Sequence, residues 1–466
     1  NYVGELRAIP EWGAAWKTWL AGRRARDAEA FAGIPETLPD NPRAANRHTA
    51  AFALFLAETE ARMVARLKKF LRDEMKCRAL VSNLSGWETG FAPDQTVRDA
   101  LFDYVDDHFY VDHPEFLERR WQLPTSSPNE NLLRREAMGV HRTVFTRLLN
   151  KPFTISEWNY ASTGSAFRSA GGMITGALGA LQDWAGVWRF DYSRNRDDTD
   201  RDDGIPMRFF DLAGDPLMLA SERAALCLFL RGDLPALANT HALVLPVAET
   251  LEMRDKIPLN RAPWPWVAWH ARLGTIVANK APADAVWSGR YPEVYDAPAP
   301  AGLPPAGGGA VAVDRERGSF AVSTPRTCGG FAESGVVDAG DLVFDTGGLP
   351  ATVWVSALDD RPIRDSSRLL LTHLTDMQDT GARYAGRARK ILLAHGTLPH
   401  LARNGRAGIR LALGPGGAPT VHALSTGGRR VAEISSRLED GWLVFTADIA
   451  AQPDSATLLY EITRAQ

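Results

Sequence analysis

The segment ISEWNY (155–160) is a short apolar strand pattern that runs into a carboxylate, Glu157, followed by Trp158 and Asn159. Upstream, LFDYVDDHFYVDHP (101–114) is a second strand-like run, and its polar end carries His108 and Tyr110 in a His-x-Tyr spacing. A carboxylate that must stay ionised needs hydrogen-bond donors around it, and an imidazole and a phenol on a nearby strand could supply them. Asn83 and Asn159 bring amides suited to holding a hydroxyl group. Trp87, Trp188 and Tyr192 bring flat faces of the kind that sit under sugar rings, although the chain's 14 tryptophans would fill a large core equally well.

Each of these residues also has a purely structural reading. Glu157 could pair with Arg168 or Arg189. His108 and Tyr110 could form a satisfied polar cluster, and His113 could be loop packing. Asp106 and Asp107 could bind hydroxyls, but they equally suit strand-end solvation or helix capping. Trp12, Trp16 and Trp19 recur at helical spacing and read as core. Trp184 ends a helix and should pack inward.

Other chemistries find little support. The acidic run Asp197, Asp198, Asp200, Asp202 and Asp203 lacks the glycine and the closing glutamate of an EF-hand loop, which leaves a looser calcium site or a solvated loop. The histidines show no metal-binding spacing, so neither metal nor cofactor is expected. Three widely separated cysteines exclude a disulfide scaffold and a cysteine-based zinc module. There is no phosphate-binding glycine loop between a strand and a helix, and no GxSxG nucleophile elbow.

The elements that would position these residues alternate. Residues 1–235 read as helices between short apolar strands: a long helix over about 49–75, strands near 76–87, 101–114, 152–162 and 185–193, and helices over 171–184 and 221–230. Polar and aromatic residues cluster at the strand C-termini, which fits a parallel α/β architecture with its site at those ends. The Pro- and Trp-rich stretch 236–300 reads as a connecting segment. After the linker PAPAGLPPAGGG (298–309), short β-type runs separated by Gly, Pro and Asp occupy 301–466 and predict a β-sandwich. A net charge of -3 without a basic run argues against nucleic acid. No apolar run approaches the ~20 residues of a membrane span.

The order of these strands resembles strands five to eight of the clan A (β/α)₈ retaining glycoside hydrolases, related to families such as 5 and 42. The resemblance covers residues 1–230. It implies the C-terminal part of a TIM barrel followed by a sandwich, and a carbohydrate substrate. It implies Glu157 as the catalytic nucleophile, His108 and Tyr110 as its sixth-strand partners, and Trp188 or Tyr192 as the sugar platform. A weaker fragment, LLLTHLTDMQDTG (369–381), resembles a feature of cellulase-like bacterial proteins. The clan's Asn-Glu acid/base pair is not at the matching place: Asn129–Glu130 falls in a loop between strands, and Glu5 has no strand before it. The expectation is therefore that the acid/base glutamate precedes Asn1. Export would fit the class, but a leader is not visible. The rival reading is a non-catalytic glycan-binding or scaffold protein with a degenerate barrel.

Overall fold

The computed structural model describes residues 8–83, 92–246 and 263–465, apart from 42–43, 45, 136–138, 200, 202 and 292. Two N-terminal helices, α1 (Pro10–Arg26) and α2 (Arg47–Lys69), form a small core of their own around Trp16, Phe31, Phe52 and Phe55, with Trp12 and Trp19 packed at its edge. Asn46 caps α2 by accepting from the Thr49 amide at 3.0 Å, which satisfies one of the first-turn N–H groups. Helix α3 (Ala92–Leu101) follows.

The site rests on a three-stranded parallel sheet of β1 (Val105–Val111), β4 (Phe153–Tyr160) and β5 (Gly186–Arg189), with β4 in the middle. Two-residue strands β2 (Glu115–Phe116) and β3 (Thr125–Ser126) lie in the loop after β1. Helix α4 (Gly171–Leu181) is buried along its whole length and packs against α5 (Pro216–Ala225). Its glycines allow the approach: a Cβ on Gly172 would lie 1.9 Å from the Ser221 carbonyl oxygen. Asp215 caps α5 by accepting from the Met218 amide.

The strand expected at 76–87 is not formed by its described part, residues 76–83. Side chains take the backbone groups a ladder would need. Arg72 donates to the carbonyls of Cys77 and Ala79, and Asp103 accepts from the Val81 amide. Among the described residues of 1–235, three parallel strands are therefore present where four were expected. Residues 236–300 contain a second parallel sheet, β6 (Thr240–Leu245) between β7 (Arg272–Val277) and β8 (Trp287–Arg290). A bridge from Leu148 to Thr275 ties β7 to the segment before β4. Both sheets are open, and among the described residues no closed barrel forms.

The C-terminal strands form two antiparallel sheets. Eight strands run in spatial order from Arg430–Ile434 through Thr420–Leu424, Leu459–Thr463, Arg368–Leu374, Ala351–Ala357, Thr327–Ala332 and Ser319–Ser323 to Val311–Asp314. Five others, from Val336–Ala339 to Ser436–Glu439, share a core with them that includes Val353, Leu371, Ile409, Phe445 and Ile462. Phe320, Phe331 and Trp354 face the other way and belong to the core of the parallel sheets. The segment 377–402 leaves the sandwich altogether. Its strands Arg383–Tyr384 and Ile391–Ala394 join β3 and β2 in one sheet above the ends of the parallel strands.

Candidate active site

The apolar residues of β4 change phase along the strand. Phe153 and Ile155 enter the core beneath the helices, and so do Trp158 and Tyr160. The register with β1 slips at the same place: Asp107 pairs with Ile155 and His108 with Glu157, so Ser156 is the extra residue of a β-bulge. The bulge turns Glu157 and Asn159 to the face that carries His108 and Tyr110.

On that face Tyr110 donates its hydroxyl hydrogen to Glu157 Oε2. His108 Nδ1 stands 3.2 Å from the same oxygen, off the line of a full hydrogen bond. Ser156 gives its single hydrogen to Asp106 Oδ2 at 2.5 Å, so His108 Nε2, 2.8 Å from Ser156 Oγ, must be the donor there. This chain fixes the imidazole with Nδ1 towards Glu157. The His108 side chain is 2% exposed whereas that of Glu157 is 30% exposed. The carboxylate is thus held from below and open above. Burial first, and then the bond to Glu157, push the Tyr110 phenol well above its usual range, so it remains a donor throughout the working pH range.

Asp106 and Asp107 are buried, which corrects the expectation of solvation or capping. Asp106 accepts from Thr154 and from both the amide and the hydroxyl of Ser156. Asp107 accepts from Thr146, and burial pushes its carboxyl upward. Asn159 is 1% exposed. Its Nδ2 donates to the Phe190 and Phe210 carbonyls and its Oδ1 accepts from Arg189 at 2.7 Å. With both Nδ2 hydrogens spent and the side chain buried, Asn159 ties strand ends together and is closed to a sugar hydroxyl. Neither arginine considered for Glu157 pairs with it: Arg168 pairs with Asp215 and Arg189 with Glu222. Asn83 donates to Glu60 of α2, and its neighbour Ser82 bonds the Tyr104 carbonyl at the start of β1, so Asn83 belongs to the opposite end of that strand. Trp87 and Glu5 lie outside the described residues.

Trp188 and Tyr192 are 55% and 56% exposed. Gly186 pairs with Thr154, which pairs with Asp106 in the row of His108 and Tyr110, and the Trp188 ring lies over the position a Gly186 Cβ would take, so Trp188 projects to the Glu157 face. His113 packs its ring on Tyr110 and Phe210, at 5.4 Å from each, and burial pushes it downward. Glu130 pairs with Arg135 and Lys390, and Asn129 donates to the Arg389 carbonyl, so this pair fastens the loop to the segment 377–402. Trp184 packs on Phe153 in the core. Asp203 pairs with Arg201, and Asp200 and Asp202 lie outside the described residues. Among the described residues no group of three or more His, Cys, Asp or Glu could hold a metal ion.

Sequence reasoning missed the upper rim. Phe210 stacks edge-on to Tyr110, Phe190 and Trp121, and His395 from the C-terminal half packs on Phe209 at 4.7 Å. It also missed Asp191, although the strand AGVWRFDYS (185–193) visibly runs into an aspartate. Asp191 faces Asp211, which lies in a stretch without any pattern.

No protein-family model matches this chain, and no curated protein sequence matches it. Among solved structures it is similar to the crystal structure of the GH39 enzyme from Xanthomonas axonopodis pv. citri, with 10% sequence identity, a TM-score of 0.27, and coverage of 98% of this chain and 73% of that chain. Among the described residues no helix is long and apolar enough to cross a membrane.

Proposed function

We propose that this chain is a retaining O-glycoside hydrolase acting on a poly- or oligosaccharide, with Glu157 as the nucleophile. One observation carries this reading. A half-buried carboxylate sits at the exit of a central parallel strand, with the Tyr110 hydroxyl bonded to one oxygen, His108 beside that oxygen, and the outer side open to solvent. The bond from Tyr110 fixes the carboxylate's direction. An ionised, oriented carboxylate can attack an anomeric carbon and form a glycosyl ester, the first half of a double displacement. Trp188, on the same face, is the candidate platform for the sugar ring.

The test is trapping with a panel of 2-fluoro-glycosides followed by peptide mapping. A label on Glu157 supports the reading and identifies the sugar. A label on another carboxylate, or none across the panel on folded protein, overturns it. The rival, glycan binding without catalysis, draws support from the half-exposed Trp188 and Tyr192 and predicts binding to sugars with no label.

A further inference from the structure

Asp191 lies two residues beyond β5, at the rim where Tyr110 and Glu157 end. The segment around it is pinned on both sides. The Phe190 amide bonds the Trp158 carbonyl at 3.1 Å, and the Asp191 and Tyr192 carbonyls accept from the Leu212 and Ala213 amides at 3.0 and 2.8 Å. The Asp191 carboxyl lies within hydrogen-bond reach of the Asp211 carboxyl. Arg194 favours Asp211: its Nε is 2.8 Å from Asp211 Oδ1 and 4.0 Å from Asp191 Oδ2. Asp191 Oδ1 is buried and accepts from no donor.

Two carboxyls this close do not both ionise readily, and the guanidinium keeps the charge on Asp211. The shared proton therefore resides on Asp191. Burial, and then the Asp211 charge, push Asp191 up to about 6. The charged and titratable groups facing it are Asp211, Arg194 and Tyr110, and the Tyr110 hydroxyl feels both Asp191 and Glu157. One rim thus holds a carboxylate oriented by the Tyr110 hydroxyl and a carboxyl kept protonated by a second carboxyl. That division of labour is what two-carboxylate hydrolysis requires.

We propose that Asp191 is the acid/base of the Glu157 site, with Asp211 and Arg194 as its positioning residues; this rests on the nucleophile reading above. In the first step the Glu157 oxygen bonds to the anomeric carbon, the glycosidic C–O bond breaks, and the leaving oxygen takes the Asp191 proton. In the second, water bonds to the anomeric carbon, the ester to Glu157 breaks, and Asp191 recovers its proton from the water.

The test uses the full chain and the sugar identified by trapping. Wild-type kcat/KM on an unactivated glycoside should fall as pH rises through about 6, where Asp191 loses its proton. The dinitrophenyl glycoside, whose leaving group needs no proton, should lack that limb. Asp191→Asn should lose roughly 10²–10⁴-fold on the unactivated substrate. The same variant should still label at Glu157, and azide should restore turnover with the dinitrophenyl glycoside. Asp211→Asn should move the wild-type limb to lower pH, which a merely structural role would not do. An Asp191→Asn protein that turns over the unactivated substrate within about threefold of wild type, with the limb intact, overturns the proposal while labelled Glu157 leaves the nucleophile standing. The wild-type comparison of the two substrates keeps the test decisive if the variant does not fold: a limb common to both overturns the proposal. No label at Glu157 in wild type overturns both readings.

Discussion

Tyr110 reaches Glu157 on the diagonal. In the ladder Tyr110 lies opposite Asn159, and Glu157 lies opposite His108, so the phenol leans back along β1 to bond the Glu157 carboxylate. The contact exists because the bulge at Ser156 puts all three side chains on one face. Removing the hydroxyl deletes a hydrogen bond to a charged group, worth about 1.5–3 kcal/mol. Tyr110→Phe should lower kcat/KM roughly 10–100-fold on the substrate trapped at Glu157. Kinetics within twofold of wild type would show that the hydroxyl is idle.

The buried pair Arg168–Asp215 joins the two halves of the chain, because Arg168 also donates to the Met377 carbonyl at 3.1 Å. Asp215→Ala leaves the guanidinium buried and unpaired and uncaps α5. A loss of about 3–5 kcal/mol in denaturant titration is expected. A loss below about 1 kcal/mol would mean that water or another group takes over the charge.

Asp112, 3% exposed and bonded by the Asn129 amide, is pushed up to about 6, chiefly by burial. Its folded value lies above its unfolded one, so its contribution is full below about pH 4 and is lost as pH rises through 6, by about 3 kcal/mol. His373, pushed down to about 4, has the opposite sign, so the comparison must be between variant and parent. Asp112→Asn should flatten the fall in stability between pH 4 and 7. An unchanged slope in paired thermal melts would refute this.

Two glycines should respond in opposite directions. Gly172→Ala drives a methyl into the Ser221 carbonyl between α4 and α5 and should cost about 1–3 kcal/mol. A Cβ on Gly22, in α1, meets nothing within 4 Å, and Gly22→Ala should stabilise by about 0.5–1 kcal/mol. Chemical unfolding of both variants decides it, and equal effects would be inconsistent with the helix packing described.

Much of this was legible where pattern and packing agree. The run FTISEWNY declares a buried strand, and even its bulge is written in the spacing of Phe153, Ile155, Trp158 and Tyr160. The sandwich strands announce themselves between Gly, Pro and Asp. The run at 76–83 misleads because Ala79, Leu80 and Val81 look like a strand, while Arg72 and Asp103 occupy its backbone groups from other elements. The parallel strands β6 and β7 were hidden within a Pro- and Trp-rich region. Asn159 looked available because two of its partners are the Phe190 and Phe210 carbonyls, which sequence does not display. The pairing of Asp191 with Asp211 depends on a loop folding back, and no local period encodes that.

The fastening of Asn129 to the Arg389 carbonyl spans 260 residues of chain. The ribosome adds about 5–20 residues per second, so the loop after β1 waits roughly 13–50 s for its partner to be made. During that interval the edge of β3 that Ile391–Ala394 will cover stands open on the nascent chain, a natural place for a holding chaperone to act. The rim around Glu157 is therefore among the last parts of this protein to be completed.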